Sequence, residues 1–182
     1  APFAAIEPPL WLSLIAGYRR DKGDAVAVID AEAENLTLEE TVKRIKDISA
    51  TETIIVVMGH NPSVSSTPKM PAAEALLKEL PNARLTGLHP NAVNYPDAIK
   101  KPFTGTPDPA WDLLPMHLYK AHNWHCLADI DNRSPYGVLY TSLNCPYNCF
   151  YCNVHTLYND RKVRYRPMPD IFADLDYFAE NG

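Results

Sequence analysis

Three short apolar runs, residues 25–29, 53–58 and 84–88, alternate with stretches of helical period in the first half of the chain. Runs of that length, rich in valine and isoleucine, suit strands buried on both faces of a parallel sheet. Residues 10–20 keep their apolar side chains to one side and end in Arg19, Arg20, Lys22 and Gly23, a helix stop. Thr37 and Glu40 predict a capping box, ahead of a helix with Leu38, Val42, Ile45 and Ile48 on one face. Pro71 suits the first turn of a further helix that turns Ala73, Leu76, Leu77 and Leu80 inward. The order helix, strand, helix, strand, helix, strand implies an α/β fold. Its expected form is a doubly wound parallel sheet of Rossmann or flavodoxin type over residues 1–95.

Prolines at 96, 102, 107, 109, 115 and 135 break this rhythm. Residues 96–136 therefore read as a linker or wrapping segment. Residues 137–141 predict a new strand leading straight into a loop that holds three of the four cysteines. Pro167 and Pro169 then precede a helix presenting Ile171, Leu175 and Phe178, so residues 137–182 make a third region.

At 182 residues, 46% of them hydrophobic, the chain has enough apolar surface for one domain and part of another. A net charge of −5 argues against nucleic acid as the main partner, because phosphate binding needs a basic face. No apolar run is long enough to span a bilayer, and no charged start leads into an apolar stretch as in a secretory signal. Ala1 has no methionine before it, so a trimmed start is expected. Four cysteines allow two disulfides, but three of them fall within eight residues. Clustered thiols without a secretion signal point instead to metal binding in a reducing cytoplasm.

The loop places three residues between Cys145 and Cys149 and two between Cys149 and Cys152. A segment not committed to helix or strand can turn three thiolates toward one point. Three thiolates leave one iron of a 4Fe-4S cluster without a protein ligand, and an open metal position is where chemistry happens. His155 would complete a Cys3His zinc site with the same cysteines. Structural zinc sites more often use two separated ligand pairs, which weighs against it. Unliganded core thiols fit less well, because Asn144 and Asn148 are polar. Cys126 stands alone and is read as a packed or partly exposed thiol.

The spacing, and its position after a strand, resembles the signature of the radical S-adenosylmethionine superfamily. The resemblance implies that Cys145, Cys149 and Cys152 hold the cluster and that S-adenosylmethionine chelates the open iron. One electron then splits the sulfonium to a 5′-deoxyadenosyl radical. Tyr151, the aromatic residue before the third cysteine, matches the position that packs near adenine. The fold implied for residues 137–182 is the start of a partial (β/α) TIM barrel, and an electron donor such as flavodoxin or ferredoxin is implied as a partner.

Four further stretches resemble the cobalamin-binding class of that superfamily: Pro8, Pro9 and Leu10 opening a helix, residues 29–34, residues 87–90 and residues 109–115. The resemblance implies a cobalamin-binding domain over residues 1–95, whose ligand lies beyond the carboxyl ends of the strands. The loops there are the stretch before Leu10, residues 59–66 and residues 87–91. Ser63, Ser65, Gly87 and His89 are the candidates for the cobalamin face. Read without the cysteines, these loops are ordinary turns. The Asp-x-His-x-x-Gly motif of the wider cobalamin pattern is absent, so neither His60 nor His89 is expected to ligate cobalt.

The chain departs from the class in three ways. It shows no strand before Pro8, it has only a short connection between residue 87 and the linker, and it holds one strand and one helix of a barrel. A segment is expected to be missing near residues 95–106. The expected function is a cobalamin-dependent radical S-adenosylmethionine methyltransferase acting on an unreactive carbon or phosphorus centre of a small molecule or peptide. A cyclase or rearrangement enzyme of the same architecture, or a non-catalytic zinc module, are the rivals.

Overall fold

The computed structural model describes residues 5–57, 70–86, 95–122, 126, 131–150 and 160–181. They form two compact units, each drawing on separated parts of the chain.

Helix α1 (Leu10–Asp21) belongs to one unit, and helix α2 (Leu38–Ile48), capped by Thr37, belongs to the unit that includes residues 35–104. The capping box of α2 forms as expected. Glu40 N–H donates to Thr37 Oγ1 at 3.2 Å, and Thr37 N–H donates back to Glu40 Oε2 at 2.8 Å. Strands β1 (Ile54–Ile55) and β2 (Arg84–Leu85) pair in parallel, joined through helix α3 (Met70–Glu79). Thr86 extends the sheet by one parallel bridge to Ile99. Ile55, Val57, Met70, Ala73, Ala83 and Leu85 make the core, with Leu76, Leu77 and Leu80 packed on it as the helical period predicts. On α2 only Thr41 and Val42 are buried, and Leu38 and Ile48 at its ends are exposed. The four-residue apolar face is therefore shorter than expected.

The other unit is built around α1. Its last turn carries Arg19 and Arg20, and Gly23 follows in the left-handed region at φ +92°, the stop that the sequence signals. Residues 25–29 do not form the expected buried strand: Ala25 and Ala27 are exposed and no strand lies beside them among the described residues. Val28 instead packs on a core of Ala33, Trp111, Leu114 and Tyr119. Asp30 then turns the chain, accepting from the N–H of Glu32 and Ala33 through Oδ1 and from the Tyr119 hydroxyl through Oδ2 at 2.9 Å.

The proline-rich stretch supplies much of this core. Two 3-10 turns, Trp111–Leu113 and Met116–Leu118, bury Trp111, and Leu114 and Tyr119 follow them inward. Burying side chains of that size stabilises by about 1.5–3 kcal/mol each before entropy is counted. The stretch runs tightly over α1. Ala110 N–H donates to Ser13 O at 3.1 Å, and a Cβ on Gly17 would lie 1.8 Å from Asp108 O.

Strand β3 is Ser142–Leu143, later than the expected 137–141, and it pairs antiparallel with β4, Arg164–Tyr165. Tyr140, just ahead of it, is buried and donates its hydroxyl to Pro107 O at 2.5 Å. That side-chain anchor holds the approach to the strand in place of a ladder. Helix α4 (Met168–Asn181) closes the unit. Its inward residues are Ile171, Asp174 and Phe178, whereas Leu175 is exposed. Among the described residues both sheets have two strands, and the class is mixed α/β.

Candidate functional site: the cysteine loop and its clasp

The loop that leaves β3 and returns at β4 is held at its ends by very little regular structure. Leu143 faces Arg164 and Ser142 faces Tyr165 across the antiparallel pair. Arg166 N–H adds one more rung, donating to Thr141 O at 3.0 Å. Asn144 is the residue just before Cys145. It sits in the left-handed region at φ +69°, where asparagine is tolerated better than most side chains. Its side-chain amide donates to Lys162 O at 3.2 Å, bridging the two ends of the loop.

Cys145 is half-buried and Cys149 is exposed, and neither is in a disulfide. Tyr147 is 72% exposed and Phe150 98% exposed, so this is not a packed core loop. Two reduced, accessible thiols on residues 144–150, a stretch without helix or strand, suit thiolate ligation of a soft metal centre. Cys152 and Tyr151 lie outside the described residues, as do Ser63, Ser65, Gly87, His89, His60 and His155. Among the described residues no set of three His, Cys, Asp or Glu side chains is grouped to hold a metal ion. Cys126 is half-buried, with its thiol 3.8 Å from His122 O.

Behind the clasp stands an ion-pair network that the sequence pattern did not reveal. Arg166 is buried, and its guanidinium donates to both carboxylate oxygens of Asp174 and, at 2.7 Å, to Asp108 Oδ1. It also lies 4.9 Å from the centre of the Tyr140 ring, within cation–π range. Burial alone would lower its pKa, but the hydrogen bonds to Asp174 and Asp108 outweigh it and hold the guanidinium above its ordinary range. An available sequence signal was the arginine placed between a cysteine loop and a helix carrying an acid eight positions on. A cleft of about 240 Å³ opens beside it, lined by Asp108, Trp111, Asp112, Arg166, Asp170 and Asp174. Three of those acids already serve arginines: Asp108 and Asp174 hold Arg166, and Asp112 holds Arg20 at 2.8 Å.

The chain is 29% identical to an uncharacterized methyltransferase of Pyrococcus horikoshii over 197 aligned residues, covering 80% of this chain and 40% of that protein. The chain thus spans about two fifths of the length of that relative. No protein-family model matches the chain. No solved structure matches it either. Among the described residues no helix is long and apolar enough to cross a membrane.

Proposed function

We propose that this chain belongs to a cobalamin-dependent radical S-adenosylmethionine enzyme that transfers a methyl group to an unactivated centre of a small molecule or peptide. The observation that carries the reading is the spacing of Cys145, Cys149 and Cys152 on one loop. Support comes from the reduced state and accessibility of the two described cysteines and from the methyltransferase name of the P. horikoshii relative. On this reading residues 1–95 are the cobalamin-binding domain of Rossmann type, 96–136 the linker and 137–182 the opening of the radical S-adenosylmethionine barrel.

A cluster held there would supply the electron that splits the sulfonium of S-adenosylmethionine, and cobalamin would carry the methyl group. The chain's own part is ligation, orientation and exclusion of water. Cys145, Cys149 and Cys152 bind the cluster as thiolates, and Tyr151 borders the adenine. Ser63, Ser65, Gly87 and His89 are the cobalamin-facing residues, with no histidine on cobalt. The outer face of α4 supports a longer barrel: Met168, Phe172 and Leu175 are exposed at helical spacing, an apolar stripe suited to a neighbouring element. The setting is a reducing cytoplasm, and the electron comes from a flavodoxin or ferredoxin.

Anaerobic incubation with labelled S-adenosylmethionine, reductant and cobalamin tests this with the enzyme of full length. The reading requires 5′-deoxyadenosine, and labelled methyl transferred to an acceptor, both abolished by Cys149→Ala. Intact S-adenosylmethionine after incubation with cluster-loaded enzyme rejects the radical chemistry. Abundant 5′-deoxyadenosine without methylated product rejects the methyl transfer alone.

A further inference from the structure

The two-residue pairing of β3 with β4 is too short to persist by itself. It is the only regular structure among the described residues at the mouth of the cysteine loop, so its register depends on what reinforces it. Among the described residues, two side chains reinforce it. Asn144 ties the departing strand to the returning one at Lys162 O, and Arg166 anchors the returning strand to Asp174 and Asp108.

We infer that Asn144 is a positioning residue for Cys145, with Arg166 as the anchor of the strand pair from which it works. The inference rests on the cluster reading proposed above. Asn144 combines two features that a generic turn residue would not need together. Its backbone is in the left-handed region, which sets the direction in which the chain enters Cys145. Its amide is spent on the opposite side of the neck, which locks that turn to the far end of the loop. Cys145 is covalently next to this lock, whereas Cys149 lies four residues further along an exposed stretch. The lock therefore acts first on the Cys145 ligand. Arg166 acts at one remove. Its buried guanidinium holds the rung that its own N–H makes with Thr141 O.

Asn144→Gly separates the two features, because glycine keeps the left-handed turn and removes the amide. The test compares wild type, Asn144→Gly and Arg166→Lys, each as the full chain reconstituted anaerobically with iron and sulfide. Iron and sulfide per chain, the low-temperature EPR spectrum of the reduced cluster and the rate of iron loss to a chelator are measured. The thermal unfolding of each metal-free protein is recorded beside them. Loss of a contact behind a metal ligand commonly weakens retention about tenfold or more. Asn144→Gly is therefore expected to lose iron to the chelator about tenfold faster, with an altered EPR spectrum and a metal-free unfolding midpoint near that of wild type. Arg166→Lys moves retention the same way and lowers the midpoint as well, since lysine lacks the fork that grips Asp174.

Wild-type retention and spectrum in Asn144→Gly would overturn the inference while leaving the cluster reading intact. So would a loss of cluster no greater than the loss of folded protein. A wild-type chain that takes up no cluster overturns both together.

Discussion

Arg166 and Asp174 form a two-pronged ion pair with only 1% and 9% of their side chains exposed. It joins the residue after β4 to the second turn of α4, tying the exit of the cysteine loop to the closing helix. Taking two charges out of water is costly, and the pair is retained only because each satisfies the other. Breaking it leaves the buried arginine with the largely exposed Asp108 as its remaining carboxylate among the described residues. Asp174→Asn is expected to cost about 3 kcal/mol or more, read from urea unfolding of the metal-free chain. A loss below about 1 kcal/mol, the range of an exposed pair, would show that the site relaxes to admit water.

Gly17 makes a second, purely steric prediction. Its missing side chain is what lets Asp108 O lie where a Cβ would be, 1.8 Å away. Gly17→Ala must push residues 107–110 off α1, and Asp108 and Pro107 carry the partners of Arg166 and Tyr140. Overpacking of a backbone contact costs about 1–3 kcal/mol and sometimes more. The helical preference of alanine would offset about 1 kcal/mol of this. A lower unfolding midpoint is the expected result, and an unchanged or raised one would mean that the close approach is absent in solution.

Glu40 supplies the pH dependence. Hydrogen bonds from the Thr37 N–H and hydroxyl hold its carboxyl below the ordinary carboxylate range. A lowered folded pKa means that the contribution is present above the unfolded value of 4.5 and fades as pH falls through the folded one. Helical circular dichroism should therefore decline on acidification below about 4.5, and the part due to this cap should vanish in Glu40→Gln. Thr37→Ala removes the reciprocal bond and is expected to cost about 1 kcal/mol at neutral pH. An acid transition unchanged in Glu40→Gln would assign it to other carboxylates.

The features legible in the sequence are those decided within a few residues. The Thr37 and Glu40 cap, the stop at Gly23 and the β1–α3–β2 order all rest on local chemistry, and the structure shows each. What was not legible depends on distant partners. Residues 25–29 have the composition of a buried strand, but no strand flanks them among the described residues and Val28 packs instead on the cluster of Ala33, Trp111, Leu114 and Tyr119. On α4 the apolar period nominates Leu175, while the inward position goes to Asp174, because Arg166 supplies a charge that no hydrophobic count registers. The cysteine spacing was plain; the Asn144 bridge that closes its loop needed coordinates.

The cysteine triad itself is tested by counting atoms. Anaerobic reconstitution of the full chain should give a brown protein with about four irons and four acid-labile sulfides. Its EPR spectrum should shift when S-adenosylmethionine is added, as binding at an open iron demands. Cys145→Ala, Cys149→Ala and Cys152→Ala should each lose the cluster. A colourless chain holding one zinc, or a cluster that survives loss of any one of these three sulfurs, would contradict the cluster reading.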